Sequence, residues 1–540
     1  MPGLLDVNGS ASIPLITIDR IAVRQRDRWL LQGLSWQINK GEQWAVVGPN
    51  GAGKTTLAKA IAGLLPVVQG KIHYPLLGPI VPTEGIAFVA SDARRELWRQ
   101  ERRLNFSRDF AGKFNDATSV RQLIHRFADD CLKPARRVDR VARLARRLGL
   151  GHLLDKPILA VSTGEMSRVL IARQLIRQPR MLILDEPFEG LDGTGRQEMV
   201  DMLDHLAGDG LPILLVTHRP EELLGAITHV LTIEDGRMVA AGPVHKNGNN
   251  GDCQNNQNNQ NNRQLFEPTA KAWLFPDQEK GAECPAWRPN RCFSSAAIVE
   301  MQSVSVRYNG TRVLDDFSWT MKEGENWAIT GANGAGKSTI LRLITGDCLQ
   351  VYANRIRLFG KHRGADQTLG EVREQLGVVS HDLATVYQKQ MTALDVVCSG
   401  FFDSVGLYRY CDAEQIAISR RSLESMDAAD LAQTPFNQLS QGQRQLILIA
   451  RAMVKKPRLL ILDEPCSGLD FENRSRVLGL VEQIGCGATH LIFVSHHEHE
   501  IPRCTTHRLV LEKGRVVFCG PITDSPHPAT LEHNGAHRSV

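Results

Sequence analysis

The chain of 540 residues is longer than one hydrophobic core supports and points to two to four domains, while its 42% hydrophobic and 23% charged residues are those of a globular protein rather than a disordered or fibrous one. With no run of about 18 apolar residues and no charged-then-apolar leader, it is expected neither to span a membrane nor to be exported. The net charge of +5 is small, and the eleven cysteines, of which Cys284 and Cys292 come nearest to a cluster, fit no common zinc spacing and read as free thiols in a reducing compartment.

The first element in chain order is LITIDRIAV (15–23), whose alternation of apolar and polar residues predicts an antiparallel strand. QWAVV (43–47) then predicts a buried strand running into GPNGAGKT, Gly48 to Thr55, which fits G-x-x-x-x-G-K-[ST]. Gly48, Gly51 and Gly53 allow a tight turn whose N–H groups point at phosphate oxygens, at the positive end of the following helix. Lys54 is expected to reach the β- and γ-phosphates and the Thr55 hydroxyl to ligate Mg2+, with Asn50 and Thr56 completing the nucleotide contacts. A chance glycine-rich turn would not recur, and this one does. After IVEMQSVSV (298–306), NWAIT (326–330) leads into GANGAGKS, where Gly331, Asn333, Gly334, Gly336, Lys337, Ser338 and Thr339 take the same parts. Two nucleotides per chain are expected.

The halves register against each other. Arg28–Thr55 lies over Thr311–Ser338 without a gap at an offset of 283, which becomes 278 for later motifs such as Asp185 and Asp463. The chain is therefore a duplication, with five more residues between the phosphate loop and the later motifs of the first half. Helical stretches follow the loops, at 91–154 and 391–432. The first holds a basic block at 94–147, with 16 Lys/Arg against 7 Asp/Glu. Such a block can meet RNA, anionic lipid or an acidic partner, although the solvated face of helices is the commoner reading.

Each half continues with a short S-x-G-[QE] segment at a predicted helix start, another potential anion site: Ser162, Gly164 and Glu165, then Ser440, Gly442 and Gln443. The apolar runs MLILDEP and LLILDEP predict buried parallel strands ending on Asp185–Glu186 and Asp463–Glu464. Asp185 and Asp463 can hold Mg2+ with Thr55 and Ser338, and Glu186 and Glu464 can polarise a water aimed at the γ-phosphate. Asp192 and Asp470 follow in EGLD and SGLD, and the strands PILLVTH and HLIFVSH end on His218 and His496. Between the halves, residues 245–296 change character. Their NGNNGDCQNNQNNQNN tract cannot bury enough apolar surface to offset its ordering entropy and predicts a disordered linker. The expected domains are thus 14–244 and 297–524, with 525–540 a flexible tail.

This ordered set, phosphate loop, S-x-G-[QE], LDEP, GLD and a His after a strand, resembles the nucleotide-binding domain of ABC ATPases across nearly the whole chain. The resemblance implies an α/β fold of two tandem P-loop NTPase domains, each with a parallel-sheet core, an antiparallel β subdomain and a helical subdomain. It also implies Mg-dependent ATP hydrolysis in a head-to-tail sandwich. There Lys54, Thr55, Asp185, Glu186 and His218 would face Ser440, Gly442 and Gln443, and Lys337, Ser338, Asp463, Glu464 and His496 would face Ser162, Gly164 and Glu165. Glu186, His218, Glu464 and His496 would be catalytic, and Asp192 and Asp470 would link the sites. Tyr308 matches the adenine-stacking aromatic, whereas its counterpart is Gln25, so the first site would stack poorly unless Trp29 substitutes. Trp44 and Trp327 sit on the strands before the loops and read as core. The family's metal-ligating glutamine is replaced by Ser91 and His381, and Glu165 adds a charge, so the two sites should differ. TGD (345–347), SGFFDSVGLY (399–408) and FVSHH (493–497) further resemble the ModF family associated with molybdenum transport. That implies a cytoplasmic ATPase, peripheral to a membrane through a separate integral membrane subunit. The alternative is an ABC ATPase acting on ribosomes, which the basic block favours and the non-helical linker does not.

Overall fold

The computed structural model describes residues 14–244 and 296–524, except 26–27, 77, 79, 91, 111–116, 130–133, 220–221, 309, 364–365, 381–382, 384–386 and 388–390. Ser91, His381, the tail at 525–540 and, apart from Ala296, the expected linker lie outside the described residues. The chain forms two compact units that divide between Glu279 and Lys280.

In the first unit, β1 (Pro14–Gln25) and β2 (Arg28–Asn39) form an antiparallel pair, joined on the other side of β1 by a strand from the middle of the domain. A bulge near Arg20, which sits at φ 44° with its N–H donated to Ser35 Oγ at 2.9 Å, bends β1. The main sheet opens with β3 (Trp44–Val47), followed by the phosphate loop and the helix Lys54–Ile61. β4 (Gln69–His73) completes the antiparallel subdomain in the order β2-β1-β4. Then come β5 (Ile86–Val89), the helices Ala93–Phe110, Val120–Asp129 and Pro134–Arg147, and the helix Thr163–Leu175. β6 (Met181–Asp185), β7 (Ile213–Thr217), β8 (His229–Glu234) and β9 (Arg237–Pro243) finish a six-stranded sheet ordered β5-β6-β7-β3-β8-β9. All its pairs are parallel except the closing hairpin β8–β9.

The central strands read as unbroken apolar runs because both faces of the sheet are covered. Val46, Ile183, Leu214 and Val216 pack into a core shared with β1 and β2, whereas Val47, Leu184 and Leu215 pack into a second core under the helical subdomain. Period-two alternation along each strand thus feeds two cores. Trp44 is buried, stacked on His229 and edge-on to Trp36, with its indole N–H donated to Glu42 Oε2 at 2.8 Å.

The second unit repeats the plan. β10 (Ala297–Tyr308) and β11 (Thr311–Lys322) pair antiparallel, and the bulge recurs at Ser303, φ 48°, with its N–H on Ser318 Oγ. β12 (Trp327–Gly331) leads into the second phosphate loop and the helix Lys337–Thr345. β13 (Arg355–Leu358) and β14 (Lys361–His362) extend the antiparallel sheet. With β15 (Leu376–Ser380), β16 (Leu459–Asp463), β17 (His490–Val494), β18 (His507–Glu512) and β19 (Arg515–Pro521), the main sheet runs β15-β16-β17-β12-β18-β19. The Trp319–Trp327–His507 stack repeats the first unit's aromatic contact. Its helical subdomain is built around the helices Ala393–Cys398 and Ala413–Ser425. Ser399 and Gly400 of SGFFDSVGLY are buried there, Ser399 accepting from Arg451 Nε at 3.2 Å.

Candidate active sites

Each phosphate loop is set by glycines that no other residue could replace. Gly48 has φ 148° and a Cβ there would lie 2.1 Å from the Ile233 carbonyl oxygen of β8. Gly331 repeats this at φ 144°, 2.3 Å from that of Leu511 in β18. Gly53 and Gly336 cap the helices Lys54–Ile61 and Lys337–Thr345 in the left-handed region, at φ 100° and 105°. Lys54 and Lys337 are buried and curl back into their own loops. Lys54 Nζ donates to the Gly48 and Pro49 carbonyls at 2.8 and 2.9 Å, and Lys337 Nζ to those of Gly331 and Ala332. Asn50 and Asn333 lie at the outer bends of the loops, and Gly51 and Gly334 turn at φ 82° and 80°. Thr56 is half-buried and Thr339 buried in the first helical turns.

The strand carrying Asp185 ends opposite Thr55, whose hydroxyl is 3.0 Å from both carboxylate oxygens. Burial pushes the Asp185 carboxyl up from 3.8 to about 6; the Thr55 bond and the charges of Lys59 and Lys54 oppose the rise, and Glu186 adds to it. In the second unit Asp463 is half-buried and Ser338 exposed.

The next residue in each half leaves the strand by a left-handed turn, Glu186 at φ 50° and Glu464 at φ 49°, with its N–H donated to the Val216 or Val494 carbonyl of the neighbouring strand. Such a backbone is costly for a branched or bulky residue and is held here by the flanking sheet. It directs the carboxylate to the histidine at the end of the neighbouring strand: Glu186 Oε1 is 2.8 Å from His218 Nδ1, and Glu464 Oε1 is 3.2 Å from His496 Nδ1.

Ser162 and Ser440 are the N-caps of the helices Thr163–Leu175 and Gln441–Met453, each in a reciprocal capping box with Glu165 or Gln443. Burial would raise the Glu165 carboxyl, but the Ser162 amide and hydroxyl and the Lys156 charge hold it below its ordinary value. Asp192 and Asp470 cap the helices Gly193–Gly208 and Phe471–Gly485, accepting from the Gly195 and Asn473 N–H groups. Tyr308 is exposed at the end of β10. Its hydroxyl lies 3.4 Å from Cys348 Sγ, and that hydrogen bond together with burial raises it. Gln25 pairs with Arg28 across the β1–β2 turn, and Trp29 is exposed with the Arg24 guanidinium 5.9 Å from its ring centre.

Within each unit, then, loop lysine, loop hydroxyl, strand-end acids and histidine converge from β3, β6 and β7 or from β12, β16 and β17 at one end of the parallel sheet. Residues 31–189 and 314–467 match the ABC transporter family. The chain belongs to this family of ATP-binding proteins.

The ABC transporter ATP-binding protein ModF of Escherichia coli is 34% identical over 495 residues, covering 90% of this chain and 94% of its own. An uncharacterised ABC transporter ATP-binding protein of Schizosaccharomyces pombe is 27% identical and covers 91% and 96%. Among solved structures, cbiO1 of Clostridium perfringens, part of the ABC transporter complex cbiONQ, is 28% identical. It covers 43% of this chain and 88% of its own, with a TM-score of 0.36. The chain is accordingly a tandem ABC protein that binds ATP, of a kind whose domains hydrolyse it.

Three features of the sites were not read from the sequence. Thr217 Oγ1 lies 3.2 Å from Glu186 Oε2 and 2.9 Å from the buried Glu222, and Ser495 Oγ makes the matching 2.8 Å contact with buried Glu500. The signal was available as a Glu four residues after each histidine. Burial raises the Glu222 carboxyl, against the charges of Arg219 and Arg196. The third feature lies in the basic block, which is partly internal. Arg94 is buried and joins Ser167 Oγ to the Glu189 carbonyl, both at 3.0 Å, while Arg95 pairs with Glu189, Arg121 with Asp155 and Arg147 with Asp209. Arg102, Arg126, Arg143 and Arg146 are exposed. No helix among the described residues is long and apolar enough to cross a membrane.

Proposed function

We propose that the chain hydrolyses two Mg·ATP in an intrachain head-to-tail sandwich and works for a separate membrane subunit. The observation that carries the reading is a buried loop lysine and a glutamate turned at about φ 50° onto a histidine in both units, joined in the first by a loop hydroxyl, Thr55, that faces the strand-end Asp185. Thr55 and Asp185 offer only hard oxygen donors, which fit Mg2+, as do Ser338 and Asp463. These residues would hold the ion, which would supply positive charge to offset that of the phosphates. Glu186 and Glu464 take up the proton of the attacking water, and His218 and His496 orient the carboxylate through Nδ1. Ser440, Gly442 and Gln443 close over the nucleotide at Lys54, and Ser162, Gly164 and Glu165 over that at Lys337, with Asp192 and Asp470 carrying the change between sites. The S-x-G-[QE] amides at helix starts suit the γ-phosphate.

The double substitution Glu186→Gln, Glu464→Gln is expected to lower kcat by at least about 100-fold and leave ATP trapped. Hydrolysis at the natural rate would refute the assignment. The same variant in Mg·ATP serves to capture the partner. Recovery of an integral membrane protein supports the transport reading, with molybdate as the solute the resemblance implies. Recovery of ribosomes instead favours the second reading, for which Arg102, Arg126, Arg143 and Arg146 are exposed guanidinium groups able to meet phosphate.

A further inference from the structure

The two histidines are held differently, and the difference lies in one residue. His218 has both ring nitrogens engaged. Nδ1 meets Glu186 Oε1 at 2.8 Å, and Nε2 accepts from Arg219 Nε at 3.3 Å. Arg219 is itself buried, so its guanidinium is held in the packed turn; its backbone N–H meets Thr217 Oγ1 at 3.1 Å, as that of His497 meets Ser495 Oγ at 3.0 Å. In the second unit the equivalent position, 278 residues on, is His497. Its ring lies against that of His496, centres 4.0 Å apart, and makes no bond to Nε2. His496 Nδ1 keeps its glutamate, but its buried Nε2 has no hydrogen-bond partner among the described residues.

The loops around the rings differ in the same sense. In the second unit Arg508 of β18 reaches Thr330 Oγ1 at 3.1 Å and Glu498 Oε1 at 2.5 Å, tying the loop after His496 to the strand that enters the phosphate loop. The corresponding residues of the first unit are Val230, Val47 and Pro220, which cannot make that tie. The second loop thus has a tie to the sheet beyond the Ser495–Glu500 contact, while the first has, beyond the matching Thr217–Glu222 contact, a guanidinium on its imidazole.

We infer that Arg219 is a positioning residue that latches His218 away from the γ-phosphate, so that the site of Lys54 turns over slowly and the site of Lys337 carries most of the hydrolysis. The inference rests on the active sites proposed above and adds to them that Nε2 of each histidine, the nitrogen turned away from the glutamate, meets the γ-phosphate. A nitrogen that accepts from a guanidinium cannot at the same time donate to a phosphate oxygen, because donation requires a proton where the lone pair now meets Arg219. His218 must let go of Arg219 before it can touch nucleotide. With Nδ1–H given to the glutamate, Nε2 of either ring must take up a proton before it can donate to a phosphate oxygen; at His496 that lone pair is unoccupied, whereas at His218 the guanidinium already holds it. Unequal sites follow from the latch alone, without any difference in the phosphate loops.

The test is a reciprocal exchange in the full chain. Arg219→His gives the first site the second site's neighbour and is expected to raise kcat of the first site about fivefold, the weight of one ordinary hydrogen bond, with KM for ATP little changed. His497→Arg installs the latch in the second unit and lowers total kcat by a similar factor. The sites are assigned by repeating each exchange with Glu464→Gln or Glu186→Gln. A purely structural Arg219 would show a loss on substitution, never a gain, so the opposite signs distinguish the two roles. If Arg219→His does not fold, His497→Arg decides alone, because unchanged or raised kcat in that variant overturns the latch. Unchanged kcat in both exchanges overturns it too. If instead His218→Ala and His496→Ala leave hydrolysis intact, the histidine roles themselves fail, which is a separate result.

Discussion

Asp185→Asn separates what the first site needs for folding from what it needs for nucleotide. The carboxylate is 3% exposed at the end of a strand buried on both faces, and burial pushes it up from 3.8 to about 6. Because the folded state holds its proton up to a higher pH than the unfolded chain, the folded protein binds more protons between the two values. Stability therefore falls as pH rises from about 4 to about 6, and the full cost of the buried charge is present above that window. A displacement of roughly two units corresponds to ~3 kcal/mol. Asparagine removes the charge and keeps an acceptor for the Thr55 hydroxyl, so the nucleotide-free variant should be the more stable one at pH 8. For a domain of this size the gain is up to about 6–12 °C in the transition of the first domain, reduced by the weaker bond to Thr55. Calorimetry of the full chain from pH 4 to pH 8, natural against variant, reads the difference directly. The gain should be complete above pH 7 and vanish near pH 4, and the variant should lose the stabilisation that Mg·ATP gives the natural chain. A variant less stable at pH 8, or a difference independent of pH, refutes the argument.

Gly164→Ala should stabilise the chain by ~1 kcal/mol, since its Cβ would meet nothing closer than 3.6 Å in a helix that prefers alanine. Gly442→Ala should destabilise it by about 1–2 kcal/mol, because its Cβ would fall 2.2 Å from Asn473 Oδ1 and displace the amide that bonds Asp470; thermal unfolding of the two variants checks the opposite signs. Tyr308→Ala should weaken ATP binding at the second site by about 5- to 30-fold, the weight of one stacked base, in site-resolved nucleotide cross-linking. Trp29→Ala should do the same at the first site only if Trp29 stands in for an aromatic at Gln25. Arg94→Met should cost ~2 kcal/mol by leaving the Glu189 carbonyl and Ser167 hydroxyl without their donor, read as a lower midpoint of denaturant unfolding.

What the sequence made legible was whatever a short window of chain decides. The phosphate loops, the apolar strands ending on Asp-Glu and the helix starts at Ser162 and Ser440 depend on neighbours along the chain, and they lie where periodicity and glycine spacing put them. What was illegible depends on residues that sequence keeps apart. The aspartates of the GLD motifs are helix caps as well as potential links between sites, because the next helix begins directly after them. The basic block looked like one surface, but Arg94 spends its charge inside, 73 residues from Ser167 and 95 from Glu189. The antiparallel strands β9 and β19 that close each sheet carry no signal that tells them from a parallel edge.

The duplication itself supplies the remaining argument. Backbone features are copied to within a few degrees: the bulges at Arg20 and Ser303, the left-handed turns at Glu186 and Glu464, the capping glycines at Gly53 and Gly336. Such positions cannot drift without moving a strand of the sheet. The contacts that differ include those made at the rim: Arg219 against His497, Gly195 against Asn473, Gln25 against Tyr308. Each can change without disturbing either core, and each touches a residue proposed to meet nucleotide or to shape its site. A fold that holds the phosphate loop and strand ends fixed, while its edges diverge, leaves room for the two proposed ATP sites to become unequal. If the latch proposed above is right, the inequality rests at the rim, first on Arg219 and His497, and exchanging them between the halves should exchange the behaviour of the sites.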